Sequence, residues 1–292
     1  MFAFVTSERF RVLDVKDRDR LEALSKLDEF KAGEEIIVSG HAGEWLYLIA
    51  DGGVDIRAKT PAGKEITLGQ LGPGDIFGEL ETFADLPAES VRHVARVNTI
   101  ARAINKHPLK QELKTHRSLA SGLLAVFCRS ISEKVRAAND VAIKFGPPPV
   151  SSTPPGRPPH LNEEEAAWLA VLGQKLSADA GEVIVAEGDT SRSFYVIEKG
   201  DMEVRKRAGG GDRTLATLGT RDMFGFMAFV DGKPRSASVV AVKPCDLAKI
   251  EPDMLEKATH LNFTVSFKFL GTLCSVLGRT YRDTANSILA RA

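Results

Sequence analysis

Short runs of β-branched and aromatic residues alternate with glycine along most of this chain. Glu35 to Val38, Trp45 to Ala50 and Val54 to Ala58 are such runs, and Ser39-Gly40-His41 and Asp51-Gly52-Gly53 between them carry turn chemistry. The same layout returns downstream, with Ala208-Gly209-Gly210-Gly211-Asp212 as a hairpin tip. Many short strands at regular spacing predict a mainly β fold, a small barrel or sandwich rather than a βαβ unit. Helices flank each β unit: Asp17 to Leu24 precedes the first, and Asn162 to Leu169 the second, with Asn162 as the N-cap. Longer helices follow, read from Leu124, Phe127, Ile131 and Val135 in one case and Leu270, Leu273, Leu277, Tyr281 and Ile288 in the other. These apolar stripes need a partner, which is their own barrel, the other β unit or a second chain.

The two halves are copies. Residues 33–57 align without a gap on residues 181–205, and Gly33/Gly181, Ile36/Ile184, Gly40/Gly188, Tyr47/Tyr195, Ile49/Ile197, Gly52/Gly200 and Arg57/Arg205 coincide. A second block follows in each: Gly74-Asp75-Ile76-Phe77-Gly78-Glu79-Leu80, then Arg221-Asp222-Met223-Phe224-Gly225-Phe226-Met227. A repeat of this length means one fold made twice, so its mismatches report on function. Between the copies, residues 146–159 are half proline and can be neither helix nor central strand. They read as a polyproline II spacer, about 40 Å if extended, with a ligand for a proline-binding module as the alternative. The expected domains are therefore 1–145 and 160–292, joined by the linker 146–159.

At 292 residues each half can bury its own core. Thirty-nine basic residues balance thirty-nine acidic ones, so no electrostatic footprint for nucleic acid or an anionic membrane is present. There is no twenty-residue apolar run, and Glu8, Arg9 and Arg11 come too early for a signal peptide, so a cytoplasmic location is expected. Cys128, Cys245 and Cys274 form neither a disulfide framework nor a metal pattern and read as buried thiols. No nucleophile elbow, Walker loop, zinc signature or carboxylate pair appears, so no catalytic or metal-ligating residue is assigned. The six histidines are scattered, and Arg205-Lys206-Arg207 reads as a solvated hairpin edge.

A glycine-punctuated β-roll, then Phe-Gly-Glu, then Pro-Arg-x-Ala-Ser/Thr, resembles the cyclic nucleotide-binding domain over almost the whole of each copy. The resemblance implies two tandem β-rolls of jelly-roll type, arranged as in the regulatory subunit of cyclic AMP-dependent protein kinase. It also implies a phosphate-binding cassette in each. A glycine lets the backbone approach, amide groups cradle the phosphate, and an arginine neutralises it with a matched fork. A glutamate then accepts from the ribose 2′-hydroxyl.

Neither copy is complete. The first keeps Gly78, Glu79 and Leu80, but Pro87 is followed by Ala88-Glu89-Ser90 where arginine is expected. Aligning back from Ile104 on Ile250 puts one extra residue in this copy after Pro87, so that Arg92, the only nearby substitute, corresponds to Ser238. The second copy has Gly225, Met227 and Pro234-Arg235-Ser236-Ala237-Ser238, but Phe226 replaces the glutamate. An unpaired buried arginine is expensive, so Arg235 implies that an anion visits or that the side chain points into solvent. Losing one charge-assisted contact costs about 1.5–3 kcal/mol, or one to two decades of affinity.

Two functional classes follow. One is a non-catalytic regulator in which cyclic AMP or cyclic GMP, bound as ligand rather than cofactor, repositions the helices at 108–144 or 262–290 against a protein partner or a second copy. The other is a scaffold or dimer module with decayed cassettes; a cyclic dinucleotide binder is a third reading. Only 38 residues follow Met254, so no DNA-reading helix-turn-helix is expected. No Arg-Arg-x-Ser/Ala segment precedes the first copy, so a pseudosubstrate is not expected either.

Overall fold

Period-two burial and matching turns build two β-rolls of one design. A computed structural model describes residues 3–37, 44–83, 91–145, 161–209, 211–253 and 263–292. Val38, the turn Ser39-Gly40-His41, the stretch Pro87 to Ser90 and the linker 146–159 lie outside the described residues. In the first roll the strands are β1 (Ser25–Phe30), β2 (Glu35–Ile37), β3 (Trp45–Asp51), β4 (Val54–Lys59), β5 (Glu65–Leu71), β6 (Ile76–Phe77), β7 (Val91–Ala95) and β8 (Thr99–Asn105). They form two antiparallel sheets, ordered β1-β8-β3-β6 and β2-β7-β4-β5. The second roll has β9 (Gln174–Ala178), β10 (Val183–Val185), β11 (Phe194–Lys199), β12 (Met202–Ala208), β13 (Gly211–Leu218), β14 (Met223–Phe224), β15 (Ser238–Ala241) and β16 (Cys245–Ile250). Its sheets run β9-β16-β11-β14 and β10-β15-β12-β13, the first pattern with eight added to every strand number.

The likeness extends to irregularities. Register shifts fall between Ile56 and Arg57 in β4 and between Val204 and Arg205 in β12. They recur between Ile49 and Asp51 in β3 and between Ile197 and Lys199 in β11. Tyr47 faces Phe77 across β3 and β6 with rings stacked at 4.7 Å, and Tyr195 faces Phe224 in the same way at 4.7 Å. In the second roll Tyr195, Ile197, Met202, Leu218, Phe224, Val239 and Leu247 form one buried cluster between the two sheets. Each such side chain contributes roughly 1.5–3 kcal/mol by leaving water.

The helices are α1 (Ala3–Thr6), α2 (Val15–Leu24), α3 (Leu80–Phe83), α4 (Lys106–Thr115), α5 (Arg117–Ala142), α6 (Glu163–Leu172), α7 (Phe226–Asp231) and α8 (Phe263–Leu289). Asn162 caps α6 as expected from its side-chain chemistry. Its Oδ1 accepts from the Glu165 amide at 2.8 Å, and Glu165 Oε2 accepts from the Asn162 amide at 3.0 Å, a reciprocal box. The helical stretch 108–144 resolves into α4 and α5, divided at His116, whose backbone is extended. Two compact units result: residues 1–138 with 277–290, and residues 139–276. All three cysteines are free and buried. No helix among the described residues is long and apolar enough to cross a membrane.

One loop shows what a substitution in a shared design costs. The amide of Gly74 donates to Ile49 O at 2.8 Å, and that of Arg221 donates to Ile197 O at 2.7 Å. The Asp75 and Asp222 carboxylates each accept the amide three residues before, from Gly72 and Gly219, at 2.9 Å. This turn needs a left-handed residue. Gly74 has φ +87°, whereas Arg221 is held at φ +68°, the sole non-glycine residue with positive φ among those described. Arg221→Gly is expected to stabilise the second unit by about 0.5–1 kcal/mol, read as a shift in denaturation midpoint without a change in slope.

Candidate functional site

In the second roll β14 ends at Phe224 and the chain turns through Gly225, at φ +82°, into α7. No other residue fits that turn. A Cβ on Gly225 would lie 2.8 Å from Arg235 Nη1 and 3.0 Å from Ser193 O. The close approach exists because Arg235 reaches back under the turn. Its Nη1 donates to Gly225 O at 2.7 Å; its Nη2 donates to Ser193 O at 2.6 Å and Ser191 Oγ at 3.0 Å. Backbone bonds from the Arg235 amide to Asp189 O (2.8 Å) and from the Gly188 amide to Arg235 O (3.0 Å) fix its base.

This guanidinium is 4% exposed and every acceptor it touches is neutral. Among the described residues no carboxylate lies within 4 Å of it, and its buried Nε has no partner. Burial pulls its pKa down, and the nearby Tyr195, Asp189 and Glu251 oppose this through space. Asp189 is occupied elsewhere. Its carboxylate accepts from Ser191 Oγ at 2.7 Å and the Ser191 amide at 3.2 Å, which holds it below the usual carboxylate range. A cation taken out of water without a counterion is a receptor for an anion.

The first roll treats the same positions differently. Gly78 turns at φ +98°, where a Cβ would lie 2.2 Å from Trp45 O. Its carbonyl accepts from Lys106 Nζ, which also donates to Thr82 Oγ1 at 3.0 Å. Glu79 is fully buried and faces α5: Ser130 Oγ donates to its Oε1 at 2.9 Å, and Lys134 Nζ forms an ion pair with the same oxygen. Lys134 Nζ also donates to Ile76 O at 2.8 Å and Ser130 Oγ at 3.1 Å. Beneath them His93 stacks on Phe77 at 5.1 Å, its pKa pushed down to about 3 by burial and by the Lys134 charge.

The cyclic nucleotide-binding domain matches residues 27–116 and 175–260, more than half of the chain and both rolls. The chain belongs to that family. It is similar to the cAMP-dependent protein kinase regulatory subunit of Blastocladiella emersonii, 24% identical over 253 residues, covering 86% of this chain and 54% of the relative. The regulatory subunit of Eremothecium gossypii is 29% identical over 218 residues, covering 75% and 40%. The chain spans about half the length of the curated relatives it matches. Among solved structures it is similar to the regulatory domain of Toxoplasma gondii PKA with cAMP, with 20% identity, a TM-score of 0.33 and coverage of 92% and 93%.

Within this family frame, the sequence-derived site residues divide. In the second domain Gly225 and Arg235 are bonded directly, and Ser236 Oγ touches Met227 Sδ at 3.9 Å. Arg235 points inward rather than into solvent. Phe226 is 4% exposed, so its ring is packed inside. Ser238 lies on β15, where its Oγ accepts from the Glu187 amide at 3.0 Å. In the first domain Leu80 is buried at the start of α3, and Ser90 lies outside the described residues. Arg92 pairs with Arg57 across β7 and β4 as Ser238 pairs with Arg205, which is the correspondence expected from one extra residue. Strand alternation then turns His93 inward and Arg92 outward, onto Glu35 at 3.3 Å and Glu65. Arg92 is therefore spent on an ion network of the outer face.

Sequence reasoning missed Ser191, Ser193, Lys106, Lys134 and Ser130. The serines had one signal, a polar Ser-Arg-Ser run ahead of β11 where the first copy has Gly43-Glu44-Trp45. The lysines had none, being ordinary helix residues.

Two outcomes follow. Gly225→Ala is expected to cost ~2 kcal/mol through its left-handed φ and the Ser193 carbonyl, measured by chemical denaturation. For His93 the unfolded chain takes up the proton first, because the folded pKa lies below the ordinary 6.5. Its contribution is complete above pH 6.5 and is lost as pH falls toward 3, at about 1.4 kcal/mol per pH unit. His93→Val, the residue the second domain has there as Val239, should flatten that acid limb in denaturation series between pH 7 and pH 5.

Proposed function

We propose that this chain is a cytoplasmic, non-catalytic regulator whose second domain binds a cyclic mononucleotide such as cyclic AMP through Arg235. The observation that carries this reading is the buried guanidinium without a counterion. It spends one Nη1 hydrogen on Gly225 and its Nη2 hydrogens on Ser191 and Ser193, leaving the Nε hydrogen and the second Nη1 hydrogen for an anion. A cyclic phosphodiester brings one negative charge, enough to neutralise the cation without leaving excess charge in the pocket. The family membership and the similarity to kinase regulatory subunits support the ligand class. Signalling would pass from the second-domain cassette to the helix at 262–290, and from there to a protein partner or a second copy.

Without a carboxylate at Phe226, affinity should sit below that of a complete cassette by about one to two decades. The test is calorimetric titration of the full chain with cyclic AMP, cyclic GMP and cyclic di-GMP. One cyclic mononucleotide per chain is expected. Arg235→Lys should weaken it at least about tenfold, because a point charge cannot replace the fork, and Arg235→Met should abolish it. Absence of heat with every ligand would sink the regulator and leave a scaffold; binding of cyclic di-GMP alone would replace the ligand class.

A further inference from the structure

Two buried lysines meet, in the first domain, polar groups that the second domain meets with Arg235 or replaces. Gly78 O accepts from Lys106 Nζ where Gly225 O accepts from Arg235 Nη1, at 2.7 Å. Lys106 is 8% exposed, so the carbonyl beside the cassette turn is capped by a resident ammonium from the β8–α4 junction. The Oε1 atom of Glu79 is likewise engaged. Lys134 has three N–H donors and three acceptors: Glu79 Oε1, Ile76 O and Ser130 Oγ. Its side chain is 3% exposed and that of Glu79 is 0%.

The second domain exchanges the whole set. With Ile104 laid on Ile250 the helices align without a gap through Cys128/Cys274, so that Lys106 corresponds to Pro252, Ser130 to Val276 and Lys134 to Thr280. Glu79 corresponds to Phe226. Glu79, Ser130 and Lys134, which bond to one another in one copy, are replaced together in the other, as expected of a unit in which no member is tolerable alone.

We propose that the first domain is a self-occupied cassette, closed without nucleotide: Lys106 stands on the turn carbonyl, and Lys134 latches α5 to Glu79 and β6. Glu79 is 0% exposed, so a ligand could reach it, even at the Oε2 that lacks a partner, only by parting α5 from the turn and so breaking the Lys134 pair. The first domain therefore does not open in response to ligand, and α5 is a fixed strut. This holds whether or not Arg235 binds a nucleotide.

Hydrogen exchange on the full chain tests it. Amides of residues 117–138 should exchange at the same rate, within about twofold, with and without saturating cyclic AMP. Lys134→Met should speed their exchange at least about a hundredfold, since it strands a buried carboxylate. Glu79→Leu combined with Lys134→Met, which removes both charges as the second domain has done, should return exchange to within about tenfold of the original. If Lys134→Met alone does not fold, the double variant and the ligand comparison decide. Cyclic AMP slowing exchange of 117–138 by more than tenfold would overturn the proposal. So would indifference of that segment to Lys134→Met, or a double variant no better than the single one.

Discussion

The carbonyl of the glycine at each cassette turn must be met by a buried cation, and the rest of each site is arranged around how that is done. The turn forces the carbonyl inward because glycine alone fits its close approach to Ser193 or Trp45. An inward carbonyl needs a donor, and each copy has found a charged one: Arg235 in one, Lys106 in the other. A guanidinium has five donors in a plane and keeps some in reserve. An ammonium, compact and rotatable, is more easily exhausted. The two cations thus differ in donor number and geometry, and Arg235 keeps an Nε without a partner.

The carboxylate follows the same logic. Glu79 lies against α5 rather than toward an open pocket, and its charge is tolerable only because Lys134 and Ser130 come with it. At the corresponding positions the second copy has Val276 and Thr280, and the residue in place of the glutamate, Phe226, is apolar and buried.

The fold could be read from the residues because its determinants are local: glycine turns, alternating strands, the Asn162 cap and the repeat itself. Arg235 was legible for the same reason, sitting in a short motif ten residues after Gly225. The partners were not. Ser193 comes from 42 residues before Arg235, Lys106 from 28 residues after Gly78, and Lys134 from 55 after Glu79. Nothing in a lysine on an amphipathic helix says that its ammonium will be dry. Parity excludes Arg92, the only nearby substitute: one residue along a strand exchanges the inner face for the outer.

The last helix has a consequence for the order in which the molecule is made. Residues 277–290 group with the first unit, and Leu277, Tyr281, Ala285 and Ile288 among them are buried. A chain emerging from the ribosome usually completes its leading domain before the trailing one exists. Here the first compact unit is complete only once residues 277–290 have been synthesised. Cutting the proline-rich stretch therefore should not release two independent domains, and a chain halted after the second roll would carry an incomplete first one.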